Sequence, residues 1–240
     1  MSNLIRSEFR KLITTRTIYL FAIAIVIVAV LTVADPNQDA GTFSKPFHEQ
    51  PFVFFTALLT RLLILVVGIR VMTDEVRHGT IVPTLLSAPS RTKVVAAKVI
   101  VVGATGLIMA VLAGAAMVVA ATVVAKMYGA TLVIGADGVR SLAGLALGGV
   151  LWAILGLGVG AIIRSQLIAT VGGLVWLMTL ENVIRGLMGD WAGYLPGQAG
   201  VALSVAPSGR TLALAAATLT VYTVVAVVGG ALLLKGRDVA

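Results

Sequence analysis

A chain of 240 residues that is 59% hydrophobic and only 12% charged, with mean hydropathy +1.05, carries more apolar side chain than a soluble core of this size can bury. Cysteine is absent, which excludes disulfides and thiolate metal sites, while a net charge of +8 and a pI near 10.3 raise the question of nucleic acid. The apolar residues fall in runs close to the ~20 residues that a membrane-crossing helix needs, and they lack the alternation of a membrane barrel. The expected fold class is therefore all-α, a polytopic membrane protein with six transmembrane helices and a single transmembrane domain over residues 1–240.

In chain order, residues 3–16 place Ile5, Phe9, Leu12 and Ile13 on one helical face, with Arg6, Arg10 and Lys11 on other sides. This predicts an amphipathic helix in the membrane interface; a basic tail without fixed structure is the alternative. The first crossing is expected at 17–34, retained rather than cleaved. Between 35 and 51, Pro36, Asn37, Gly41, Pro46 and Pro51 argue against regular structure. His48 there, and His78 further on, read as solvated loop residues without the neighbours of a metal site.

The second crossing, 52–71, is interrupted by Arg61. A polar island follows at 72–97, then a third crossing at 98–125, roughly 42 Å of helix. The fourth, 142–163, contains Gly144 with Gly148 and Gly156 with Gly160, spacings that permit close helix contact. Gly156, Gly158 and Gly160 do not form a nucleotide loop, because the spacing is wrong and no Lys-Ser/Thr follows. A fifth crossing is expected at 166–184, an external or re-entrant segment at 185–211, and a sixth crossing at 212–234.

Charge sorts these connections by side. With both termini in the cytoplasm, twelve Lys or Arg and four acids lie inside, the outer loops balance to zero, and the whole +8 sits on one face. The positive-inside rule favours this N-in, C-in arrangement, and a basic rim against anionic lipid accounts for the pI without nucleic acid. Arg61 and Glu181 remain within the membrane, with Asn182 beside the latter. A guanidinium there costs at least ~2.5 kcal/mol on insertion scales, so Arg61 requires a partner or a cavity, and Glu181 is the candidate.

The island has structure of its own. Asp74 and Glu75 begin it, Gly79 permits a tight turn, and Thr80 to Leu86 suit a short helix ending before Pro89. Glu75, Arg77, Gly79 and Thr80, followed by Leu85, Leu86, Pro89, Arg91 and Lys98, resemble the membrane subunits of ABC-2 type exporters, bacterial permeases that work with a separate ATPase. The start with Glu8, Phe9, Arg10 and Lys11 and the ending Lys235, Gly236, Arg237, Asp238, Val239 add to the resemblance. It implies that residues 75–91 include a coupling helix docked on the ATPase, that the N-terminal segment is a connecting helix, and that 185–211 matches external re-entrant elements. It also implies a permease dimer, or one copy with a similar chain, together with two ATPase subunits.

The sequence has no Gly-x-x-x-x-Gly-Lys-Ser/Thr loop and no arrangement of nucleophile and base, so the expected role is that of a non-enzymatic permease subunit. No cofactor is expected in this chain; ATP and Mg belong to the partner. The resemblance implies export, and the apolar walls suit a hydrophobic or amphiphilic substrate crossing the cytoplasmic membrane. A membrane anchor for a cytoplasmic protein, or an ion-coupled carrier or channel using Arg61 and Glu181, are the alternatives.

Overall fold

The computed structural model describes residues 2–36, 39–77, 91–205 and 209–236, and all regular structure among them is helical. Helix α1 (Ser2–Thr14) is followed after a break at Thr15 by α2 (Arg16–Val33). A short α3 (Ala40–Ser44) and a 3₁₀ turn at Phe47–Glu49 precede α4 (Pro51–Arg77). Then come α5 (Arg91–Met127) and α6 (Gly135–Ile163). Helix α7 (Gln166–Val175) passes through a π-helical turn at Trp176–Leu180 into α8 (Glu181–Met188). After a 3₁₀ turn at Gly189–Tyr194 come α9 (Pro196–Val205) and α10 (Gly209–Gly236).

Among the described residues six helical stretches are long and apolar enough to cross a membrane: 16–33, 51–77, 93–127, 135–163, 166–188 and 211–233. Four of them, 51–77, 93–127, 135–163 and 166–188, are longer than the expected crossings because helical hydrogen bonding continues through polar residues at their ends. Helix α4 carries on through Asp74 and Glu75 to Arg77, and the 37 residues of α5 extend roughly 55 Å.

Helix α6 forms the axis of the bundle, with α4, α5, α9 and α10 packed around it. Its glycines make this possible. A Cβ on Gly156 would strike the Leu65 carbonyl of α4, one on Gly149 the Gly106 carbonyl of α5, and one on Gly144 the Leu203 carbonyl of α9. Without side chains at these positions the backbones come into direct contact, which replaces the hydrophobic drive that lipid cannot supply. Helix α6 ends at Arg164 in the left-handed region, φ +59°, and Ser165 then caps α7 by accepting from Ile168 N–H.

The segment before α4 is more ordered than its prolines suggest. Asp39 and Thr42 form a reciprocal capping box at the start of α3, with Thr42 N–H donating to Asp39 Oδ1 at 2.8 Å. These bonds from Thr42 hold the Asp39 carboxyl below the usual carboxylate range. Phe43 and Phe47 then pack against Phe52, ring centroids 6.1 Å apart in each case, over a cluster that includes Val33, Met117 and Ala121. His48 is carried into this layer and is buried, correcting its reading as a solvated residue.

Candidate functional site

Two clusters of buried charged side chains lie among the described residues of the bundle. The first joins α1, α4 and α5 at the end of the bundle where the polar island is rooted. Lys98 of α5 is only 4% exposed, and its Nζ donates to Glu8 Oε2 at 2.6 Å and to Glu75 Oε1 at 2.5 Å. Lys11 Nζ closes the arrangement by donating to Glu8 Oε1 at 2.7 Å and to Glu75 Oε1 at 3.1 Å. Two carboxylates and two ammonium groups thus form a neutral ring that ties the three helices.

Local sequence explains how α1 takes part. Glu8 and Lys11 are one helical turn apart and lie on one side of α1. That side, not the apolar one, faces the bundle: Glu8 is buried, Ile5 and Leu12 are half-buried, and Phe9, Arg10 and Ile13 are exposed. Burial pushes the Glu8 carboxyl up, but Lys98 and Lys11 outweigh it and hold the group below its ordinary value. For Lys11, burial acts downward and the carboxylates of Glu8 and Glu75 outweigh it, so its ammonium is held above the ordinary value. The charged forms are those the ring stabilises.

The second cluster lies inside the bundle. Arg61, 7% exposed, donates from Nη1 to the Gly197 carbonyl at 2.6 Å and stands 5.9 Å from the centre of the Trp152 ring. Glu181 Oε1 accepts from Trp176 Nε1 and from Gly197 N–H, both at 2.8 Å. Arg61 and Glu181 therefore do not meet as the sequence suggested. The peptide groups of Gly197 stand between them, because the first turn of α9 is inserted at their level and offers a free N–H to the carboxylate. Asn182 points away and donates to Met178 O at 2.8 Å.

Position 197 leaves no room for a side chain while the Glu181 carboxylate stays where it is. A Cβ there would collide with the Glu181 carboxylate, and one on Gly200, a turn later, would crowd Trp152 Nε1. These glycines let α9 approach the buried charges.

Of the island residues singled out in the sequence, Glu75 belongs to the ring and Arg77 ends α4. Gly79, Thr80, Leu85, Leu86 and Pro89 lie outside the described residues, as does His78. Arg91 opens α5, with its side chain outside the described set. Glu8 and Lys98 were visible only as members of a motif, and Lys11 only as part of a basic end; nothing local signals that they converge. Gly197, Trp152 and Trp176 gave no charge signal at all. Among the described residues no group of His, Asp and Glu could hold a metal ion.

These features define a multi-pass helical membrane protein. A family model described as "ABC-2 family transporter protein" matches residues 4–179, from α1 into the π-helical turn. The chain belongs to this family of ABC-2 transporters, as a permease of the plasma membrane. Among curated proteins none matches the chain. The matched region contains all four members of the ring, whereas Glu181 and α9 lie beyond it.

Proposed function

We propose that the chain is the membrane-spanning half of an ATP-driven exporter, with both termini in the cytoplasm, and that the ring of Glu8, Lys11, Glu75 and Lys98 receives the force of ATP hydrolysis. Two permease chains, or this chain and a similar one, work with two ATPase subunits that bind ATP and Mg. Residues 75–91, with Glu75, Arg77, Gly79, Thr80, Leu85, Leu86, Pro89 and Arg91, dock on the ATPase. The ring carries this reading. The two helices that leave the island are fastened to each other and to α1 by buried ion pairs. Pulling α4 or α5 out would leave an uncompensated charge, and pulling α1 out would break both of its ion pairs to them. A displacement of the docked segment is thus passed to α1, α4 and α5 as one body, and α6 relays it through its backbone contacts.

The substrate on this account is hydrophobic or amphiphilic. Leu65, Trp152, Val159, Trp176, Leu177 and Tyr222 line a cavity of about 420 Å³ between α4, α6, α7 and α10, a size and lining suited to such a molecule. Helix α9, held between Arg61 and Glu181, closes the outer side and withdraws during alternating access.

The test is export by proteoliposomes containing the permease and its ATPase, comparing wild type with Glu75→Gln and Lys98→Gln. Continued ATP hydrolysis and intact assembly with export reduced tenfold or more, about 1.4 kcal/mol of lost coupling, is the expected result. Unchanged export per ATP in an intact complex would overturn the assignment of the ring. Binding of a cytoplasmic protein with no export by any variant or by wild type would favour an anchoring role.

A further inference from the structure

The cluster around Arg61 holds more hydrogen-bonding groups than its protein partners use. Thr60 Oγ1, Arg61 Nε and Trp152 Nε1 are buried and have no hydrogen-bond partner among the described residues. Their side chains are closed off from bulk solvent, with Thr60 0% and Trp152 2% exposed. Buried groups of this kind are costly to leave unmet, and folded proteins meet them with protein or with ordered water. All three residues line one small cavity of about 10 Å³, with Gly148 of α6 and Gly200 and Ser204 of α9 also in its wall. The donors converge there. The point where a Cβ of Gly200 would stand lies 2.7 Å from Trp152 Nε1 and 3.2 Å from Arg61 Nη1.

Size and hydrogen-bond count together select the occupant. A volume of about 10 Å³ is the least that holds a single water molecule, and it is too small for an organic group or for a chloride ion, which is larger than water. Arg61 Nε and Trp152 Nε1 only donate, and a water oxygen accepts from both. Thr60 Oγ1 can then accept one of the water's hydrogens. That makes three bonds, the usual complement of a buried water.

We infer that one ordered water molecule binds in this cavity, held by Thr60, Arg61 and Trp152, and that it completes the solvation of the buried guanidinium. The water bridges α4 to α6. Because Gly200 and Ser204 supply part of the wall, α9 traps it for as long as that helix stays inserted. Trp152 also borders the apolar cavity of about 420 Å³, so a single ring serves both walls. Nothing in this inference depends on transport or on an ATPase.

The experiment is radiolytic footprinting of the full-length protein in lipid nanodiscs. X-rays make hydroxyl radicals from water, bound water included, and mass spectrometry then counts the oxidised side chains. Trp152 should be oxidised, whereas Met109, equally buried at 2% but set in the apolar core, should not. Thr60→Val removes the acceptor and keeps the shape. Gly148→Ala adds a methyl that meets only Leu203 Cδ1, at 3.7 Å, and narrows the cavity without moving a backbone. Each variant should lower Trp152 oxidation about tenfold and leave the exposed Trp191 unchanged. Wild-type Trp152 oxidised no more than Met109 would overturn the proposal and leave the export reading untouched. Full oxidation of Trp152 in both folded variants would overturn it too. A change in oxidation when gluconate replaces chloride would assign the site to an anion and likewise overturn it. The wild-type comparison decides the matter where a variant fails to fold.

Discussion

The two polar clusters solve the same problem in different ways. At the end of the bundle, Lys98 touches both Glu8 and Glu75 directly, and opposite charges neutralise each other. Inside the bundle, Arg61 and Glu181 are kept apart by Gly197, whose carbonyl serves one and whose N–H serves the other. The direct pairs fasten α1, α4 and α5 to one another. A relay makes a third element the arbiter, since withdrawing α9 releases both charges at once. The surroundings agree with this division. Two-thirds of the apolar window of α4 is buried, against about a sixth in 16–33 and 166–188, so the helix that carries both Arg61 and Glu75 is well enclosed, packed against the axial α6.

The largest effect should follow from Lys98→Met. It leaves Glu8 and Glu75 buried with only Lys11 to balance them, and breaking such a pair costs about 3–5 kcal/mol, measurable as thermal unfolding in detergent. Replacing Glu8, Glu75 and Lys98 together by Leu or Met should recover most of that stability while export stays impaired. Loss of stability equal to that of the single variant would break the account of the ring as a balanced unit. Gly197→Ala should come next, at about 2 kcal/mol or more, because the new methyl displaces the Glu181 carboxylate from its donors and loosens α9. Protease accessibility of the segment around α9 would report the loosening.

A smaller effect is expected from pH. The Glu8 carboxyl is held below its ordinary value in the folded protein, so its stabilisation is complete above its unfolded pKa of about 4.3 and is lost as pH falls through the lower folded value. Lys11 is held above its ordinary value, so its contribution is complete below about 10.4 and is lost only at more alkaline pH. Unfolding temperature should therefore drop below pH ~4, and Glu8→Gln should make that drop shallower. The smallest effect belongs to the exposed Arg140–Asp137 pair, 2.6 Å apart: Asp137→Asn should change stability by less than about 1 kcal/mol despite the short distance.

The membrane helices were legible in the sequence because hydrocarbon burial leaves a long, contiguous signal. The ring was legible only in part. Glu75 stood out beside the island, but Glu8 and Lys98 are 90 residues apart, and no local pattern records such a contact. The apolar face of α1 was also misleading as a guide to packing, since Phe9 and Ile13 are exposed and the charged Glu8 is the residue turned inward. The segment before α4 was misjudged for a different reason. Its prolines break helices but do not prevent short ones between them, and the spacing of Asp39 to Thr42, with Phe43, Phe47 and Phe52 beyond, carried the signal of a capped, packed element. Arg61 called for a partner, but a backbone carbonyl such as that of Gly197 is available at every residue and cannot be singled out from composition.

The most direct test follows the ends of α1 and α5 during the transport cycle. The chain contains no cysteine, so Arg10→Cys on α1 and Ile100→Cys on α5 give a spin-label pair without background, both at exposed positions. Distances would be measured by electron spin resonance in the assembled complex, without nucleotide and with ATP trapped. The account predicts one narrow distance that stays the same in both states and broadens when Lys98→Met is added. Separation of α1 from α5 on ATP binding in the otherwise native protein would contradict it.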